Sequence, residues 1–147
     1  MKLNETPLRS ITRYEGVVID VRLDLAKLPD GSTALREVVE HPGGVAVLPL
    51  EADGTVWCVR QYRYPFAEQL LEIPAGRLEP CEAPEDAARE AHLDPGEFLN
   101  VEMHTLDELV ELALTDRLPD VKTAVAVLKT KLLATAASET KSEQRDE

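Results

Sequence analysis

Hydrophobic positions in the first third of the chain recur every second residue, the period of a strand with one buried face. Val17, Ile19, Val21, Leu23 and Leu25 carry that alternation and predict a strand from Tyr14 to Leu28. Pro29-Asp30-Gly31-Ser32 reads as a turn, since Pro presets φ and Gly tolerates positive φ. Ala34 to Glu40 then pairs back as a hairpin strand. Beyond the break at His41-Pro42-Gly43-Gly44, the nearly continuous apolar run Gly44 to Leu50 predicts a strand covered on both faces. Asp53-Gly54 is a hairpin signal, and Thr55 to Tyr62 is the returning strand.

Leu70 to Ile73 is a short apolar segment ended by Pro74-Ala75-Gly76. Pro84 suits a first helical position and opens a short helix that Asp94-Pro95-Gly96 stops. Phe98 to Met103 alternates again as a brief strand. Thr105-Leu106-Asp107-Glu108 has the capping-box form, with Leu106, Leu109, Val110 and Ala113 as one apolar helical stripe behind it. Pro119-Asp120 starts a last helix with the stripe Val121, Val125, Leu128 and Leu132. No repeat and no linker divides the chain, so residues 1–137 are expected as one domain and the polar stretch 138–147 as a disordered tail.

Composition narrows the partners. The chain has 147 residues, 44% hydrophobic and 30% charged, enough for one sizeable core built mainly from aliphatic side chains. Its net charge of −12 disfavours a nucleic-acid backbone as partner, yet leaves room for a small anion held by local arginines. No apolar run approaches the roughly 20 residues of a membrane span, and the N-terminus lacks a signal-peptide pattern. Cys58 and Cys81 show no zinc spacing and read as reduced thiols of a cytoplasmic protein. His41, His92 and His104 are isolated and read as structural or surface residues.

The chemistry concentrates in Glu72-Ile73-Pro74-Ala75-Gly76-Arg77-Leu78-Glu79-Pro80-Cys81-Glu82, which runs on through Ala83-Pro84 to Arg89-Glu90. From the residues alone this is a loop exposing backbone groups at Ala75-Gly76, followed by an acidic helix start that complements the helix dipole. Glu82, Asp86 and Glu90 fall at i, i+4 and i+8, where they form either a solvated acidic face or a cation-binding stripe.

The string resembles the Nudix hydrolase family in its ADP-ribose pyrophosphatase branch. Gly76 and Glu82 have the spacing that opens the Nudix box, and Leu71 to Gly76 looks like the approach to the box in that branch. Val59-Arg60-Gln61-Tyr62-Arg63 is similar to the strand supplying a substrate-contacting arginine, and Arg36-Glu37 with Val45 to Pro49 to an edge strand and a first core strand. Glu97 to Glu102, Leu106 to Leu109 and Asp120 to Thr123 look like the closing strand and two terminal helices. The resemblance spans roughly residues 9 to 134. It implies an α/β fold, a mixed sheet with flanking helices, and Mg²⁺-dependent hydrolysis of ADP-ribose or a related nucleoside diphosphate sugar to two monophosphates. It further implies that Arg36 and Arg63 grip the substrate, and that the Ala75 carbonyl, Glu82 and Glu90 border the metal. Glu82 and Glu97 are the expected catalytic residues, Glu97 as candidate base. A homodimer formed through the N-terminal hairpin, residues 9–40, is implied as well.

After Arg89 the box departs from the family pattern. Keeping the box spacing puts Glu90 at the arginine position and Ala91 at the next acid. Dropping one residue aligns Arg89-Glu90, Asp94 and Gly96, but leaves Leu93 where a metal-binding glutamate belongs. Alternatively the chain jumps from the box helix straight to the closing loop, an internal deletion that shortens the fold; the quick passage from Arg89 to Phe98-Leu99-Asn100-Val101 favours this. Weak or absent hydrolysis is the expectation, with a non-catalytic nucleotide-binding module or a ligand-free dimeric remnant as the other readings.

Overall fold

The structure is a computed structural model that describes residues 3–78 and 98–143, with side chains as far as Ser138. The expected box helix with Glu82, Asp86 and Glu90, the thiol of Cys81, and the loop residue Glu97 lie outside the described residues. Two compact units form, although the sequence offered no linker at which to divide it; one reaches Gly43 and the other holds most of the rest.

The first unit is an antiparallel meander of β1 (Thr6–Glu15), β2 (Asp20–Lys27) and β3 (Thr33–Glu40), in that order. The single strand expected from Tyr14 to Leu28 is thus two strands with a turn between them. Gly16 makes that turn: its N–H donates to the Ile19 carbonyl at 3.0 Å and to the Asp20 carboxylate at 3.2 Å. A Cβ at Gly16 would lie 2.7 Å from the Ile19 carbonyl oxygen, so a larger residue would push the turn open. Val17, counted into the alternation, and its neighbour Val18 sit exposed at this turn. The β2–β3 connection is the expected Pro29–Ser32 turn, with Gly31 at φ +90° and the Asp30 carboxylate accepting from the Ser32 N–H at 2.9 Å. Every residue of β1 is exposed, and the one buried carboxylate described on this meander, Asp24, is satisfied by the Ser10 hydroxyl at 2.5 Å and the Arg22 Nε at 3.0 Å.

The second unit is built on β5 (Thr55–Arg63), which lies between β6 (Glu68–Glu72) and β8 (Leu99–Thr105), both antiparallel to it. Two shorter strands, β4 (Gly44–Ala46) and β7 (Ala75–Arg77), pair with each other. The run Gly44 to Leu50 is therefore not one strand covered on both faces. It forms only β4 and a later bridge from Leu50 to Val56, with Gly44, Ala46 and Leu50 exposed. Gly54 at φ +90° closes the hairpin into β5, as the Asp-Gly signal predicts.

Two helices cover one face of this sheet. α1 (Leu106–Leu114) starts at the capping box read from the sequence: Thr105 Oγ1 accepts from the Glu108 N–H, and the Glu108 carboxylate accepts from the Thr105 N–H. α2 (Val121–Glu143) runs past Ser138, well into the stretch expected as a disordered tail; the Ser138 hydroxyl donates to the Thr135 carbonyl at 2.6 Å. Val56, Cys58 and Leu71 share the sheet face that meets Leu109 of α1 and Val127 of α2, which are fully buried. Each such side chain contributes about 1.5–3 kcal/mol as an upper estimate. The buried line of α2 is Thr123 and Val127, one turn apart; of the expected stripe Val121, Val125, Leu128 and Leu132, Leu128 is half-buried and the other three are exposed at 73%, 57% and 72%. The reason is polar: Thr123 Oγ1 accepts from the Ile73 N–H at 2.9 Å, which sets the rotation of the helix about its axis. No helix among the described residues is long and apolar enough to cross a membrane.

Candidate functional site

Arg63 ends β5, and Glu72 ends the neighbouring β6, on the same face of the sheet because Val59 stands opposite Glu72 in the register. Glu72 is 1% exposed, within the apolar run Leu70-Leu71-Glu72-Ile73. An ion that deep is stable only if it is paired and hydrogen-bonded. Arg63 supplies a two-pronged contact, Nε to Oε1 at 2.6 Å and Nη2 to Oε2 at 2.7 Å. Lys122, in the first turn of α2, donates to the same Oε2. Burial pushes the Glu72 carboxyl up, but the hydrogen bonds and positive charges of Arg63 and Lys122 outweigh it and hold the group below its ordinary value.

The cluster continues into the helix start. Lys122 Nζ also donates to Asp120 Oδ1 at 2.8 Å, and Asp120 Oδ2 accepts from the Thr123 N–H at 3.0 Å and from the Thr123 hydroxyl. Asp120 is thereby the cap of α2. Glu72 and Ile73, the two residues before Pro74-Ala75-Gly76, are both tied to that first helical turn. Ala75, whose carbonyl the sequence reading assigns to the metal, follows directly as the first residue of β7 and is exposed.

Arg36 belongs to the first unit, on β3, where it grips Glu5 through Nε at 3.0 Å and Nη2 at 2.7 Å and donates to the Leu35 carbonyl at 3.0 Å. Both partners are exposed, so water and salt screen this pair heavily. Of the expected site residues, Arg36, Arg63 and Ala75 are described, while Glu82, Glu90 and Glu97 lie outside the described residues. Among the described residues no three His, Cys, Asp or Glu side chains converge as a metal site.

The sequence reading missed Glu72, Asp120, Lys122 and Thr123 as a connected set. Two signals pointed to it: a lone charge inside an apolar run, and an Asp three residues before a Thr at a helix start. A second polar group, Arg60 with Glu102 at 2.5 and 2.9 Å and His104 at 3.3 Å, holds the Glu102 carboxyl low, first through the Arg60 hydrogen bond. Cys58 on that same face is buried, as its place in the alternation predicts, and desolvation, aided by the Glu102 charge, raises its thiol to about 11.

Comparison with known proteins adds what the chain is similar to. The Nudix domain family matches residues 40–92. An ADP-ribose pyrophosphatase of Bacillus subtilis (strain 168) is 40% identical over 95 residues, 64% of this chain and 51% of that protein. A methanol dehydrogenase activator of Bacillus methanolicus is 38% identical over 93 residues, 63% of this chain and 50% of that protein. An ADP-ribose pyrophosphatase of Mycobacterium tuberculosis (strain ATCC 25618 / H37Rv) is 36% identical over 91 residues, 60% of this chain and 44% of that protein. The chain thus spans about half the length of the curated relatives it matches. Among solved structures, an ADP compounds hydrolase superposes with a TM-score of 0.77 over 93% of this chain and 98% of that one; at 14% identity this likeness shows the fold alone.

Proposed function

We propose that the chain is a member of the Nudix family, in its ADP-ribose pyrophosphatase branch, and that it binds ADP-ribose or a related nucleoside diphosphate sugar and hydrolyses it weakly or not at all. The observation that carries this reading is the failure of the box after Arg89, which either leaves Leu93 where a metal-binding glutamate belongs or breaks off toward the closing loop. Arg63 supports the binding half. A guanidinium fork fits phosphate oxygens, and each charge-assisted contact is worth about 1.5–3 kcal/mol. From the resemblance alone, Arg36 is a further candidate phosphate or nucleotide contact.

Mg²⁺, when bound in such a site, neutralises phosphate oxygens and lowers the pKa of the attacking water. The Ala75 carbonyl with the carboxylates of Glu82 and Glu90 is an all-oxygen set of the kind Mg²⁺ accepts, and Ala75 lies at the surface where a cation can reach it. The set is one glutamate short. Losing part of that charge stabilisation costs several kcal/mol, hence at least about a thousandfold in rate. Glu97 is the candidate base. The chain works as a homodimer through its N-terminal meander, a reading supported by the exposed Leu8, Tyr14, Leu35 and Val39 there.

The test combines titration calorimetry with ADP-ribose and Mg²⁺, an assay for AMP, and sedimentation, on the natural chain and on Arg63→Ala. Binding that depends on Arg63 with little AMP formed supports the proposal. Fast Mg²⁺-dependent turnover would show that Glu82, Asp86, Glu90 or Asp94 rebuilds the cation site. Absence of binding would leave the ligand-free dimeric remnant.

A further inference from the structure

Arg63 can serve a ligand only if its guanidinium is held in one plane, and the structure shows what holds it. The side-on fork onto Glu72 makes the guanidinium coplanar with the carboxylate, so the carboxylate's own rotation decides where Arg63 points. That terminal torsion is broad and roughly two-fold in an unconstrained glutamate. Here Lys122 donates to the Oε2 that also receives Arg63 Nη2, and so fixes it. Lys122 is itself held to Asp120 Oδ1, and Asp120 is held by the backbone and hydroxyl of Thr123. The chain of contacts thus runs from the first turn of α2, through a buried carboxylate, to a side chain 35% exposed at the surface. Glu72 without Lys122 would have one cation to neutralise it and one direction left open.

We propose that Lys122, acting through Glu72, is the positioning residue that sets Arg63 for ligand binding. The inference rests on the reading above that Arg63 contacts the diphosphate, and it extends the binding apparatus to α2, which lies outside the box in sequence. Lys122 need not meet the ligand. Its contribution is the orientation of Arg63, and it also lets Glu72 remain ionised without taking the whole of its compensation from the arginine. Helix placement and ligand affinity are therefore coupled through one lysine.

The experiment is a double-mutant cycle on ADP-ribose binding, with Arg63→Ala, Lys122→Met and the two combined, and Lys122→Arg as the conservative replacement. Coupled groups in one network interact strongly enough to change affinity by about tenfold. Lys122→Met is expected to weaken binding about tenfold when Arg63 is present and to add nothing in Arg63→Ala, while Lys122→Arg restores most of the affinity. An equal loss in both backgrounds would mean that Lys122 touches the ligand or merely supports the fold, and would overturn the inference. The Arg63 Nε–H signal, assigned from its absence in Arg63→Ala, gives a reading without ligand. It should broaden in Lys122→Met and return in Lys122→Arg; an unchanged signal would overturn the inference even where affinities are too weak to titrate. Binding that needs Arg63 but ignores Lys122→Met removes this inference alone. Failure of the natural chain to bind ADP-ribose removes the functional reading as well.

Discussion

Replacing Glu72 by Gln tests the energetic centre of the second unit. The side chain is nearly isosteric and keeps one acceptor, so the perturbation is the charge and one oxygen rather than the shape. The carboxylate now receives three contacts from two cations; the amide would turn an NH₂ toward one of those donors. Breaking a buried ion pair from one side costs about 3–5 kcal/mol. Arg63 and Lys122 are 35% and 36% exposed and can swing into water, which reduces the expected loss to about 2 kcal/mol. For a unit of roughly 100 residues, that lowers the melting temperature by about 8 °C near neutral pH. The pH dependence gives a sharper check. The native Glu72 carboxyl lies below its ordinary value of 4.5, so its stabilisation is fully present above pH 4.5 and is lost as pH falls through the lowered native value. Thermal melts followed by circular dichroism should show the gap between Glu72→Gln and the natural chain widest near neutral pH and closing in acid. A variant that melts within about 2 °C of the natural chain at neutral pH, or a gap that stays constant into acid, would refute the reasoning.

Three further outcomes follow from the packing and the caps. Leu109→Ala empties the centre of the α1–sheet contact and should cost about 3 kcal/mol in denaturant unfolding; a cost below about 1 kcal/mol would mean the site collapses onto itself. Thr105→Ala removes one half of the capping box and should cost about 1 kcal/mol, whereas Thr105→Ser should cost little. With Cys81 replaced by Ser, a thiol reagent at mildly alkaline pH should leave Cys58 unmodified in the native protein and label it only in denaturant, because its thiol sits at about 11. Prompt native labelling would contradict the burial of that strand face.

Much of the fold could be read from local chemistry. Asp53-Gly54, Pro29 to Ser32 and the Thr105–Glu108 box each specify a turn or cap through a few neighbouring groups, and all three form. What failed depended on distant partners. The alternation from Tyr14 onward could not reveal that Gly16 reverses the chain, because Val17 fits the same period while standing outside the sheet. The apolar stripe of α2 was misplaced because Thr123, bonded to Ile73 just after β6 and 50 residues away, faces inward with Val127, while Val121 and Val125 face out. For the candidate site, the motif singles out Arg63 but not its counter-ion. Glu72 and Lys122 meet only after β6 and α2 come together, and no sequence period connects them.

The register of β5 has a consequence for how the chain is made. Its one neighbour, β6, begins five residues after β5 ends, while the other, β8, joins Gln61 to Leu99, a separation of 99 − 61 = 38 residues. A ribosome adding about 5–20 residues per second leaves that edge of β5 unpaired for about 2–8 s. During this interval the exposed amides border Trp57 and Val59, an apolar strand edge of the kind that recruits foreign strands. The β5–β6 hairpin forms from local contacts in microseconds, long before β8 is synthesised. The yield of native protein is therefore set by what happens to a two-stranded intermediate, and conditions that slow elongation between residues 63 and 99 should raise the fraction lost to aggregation.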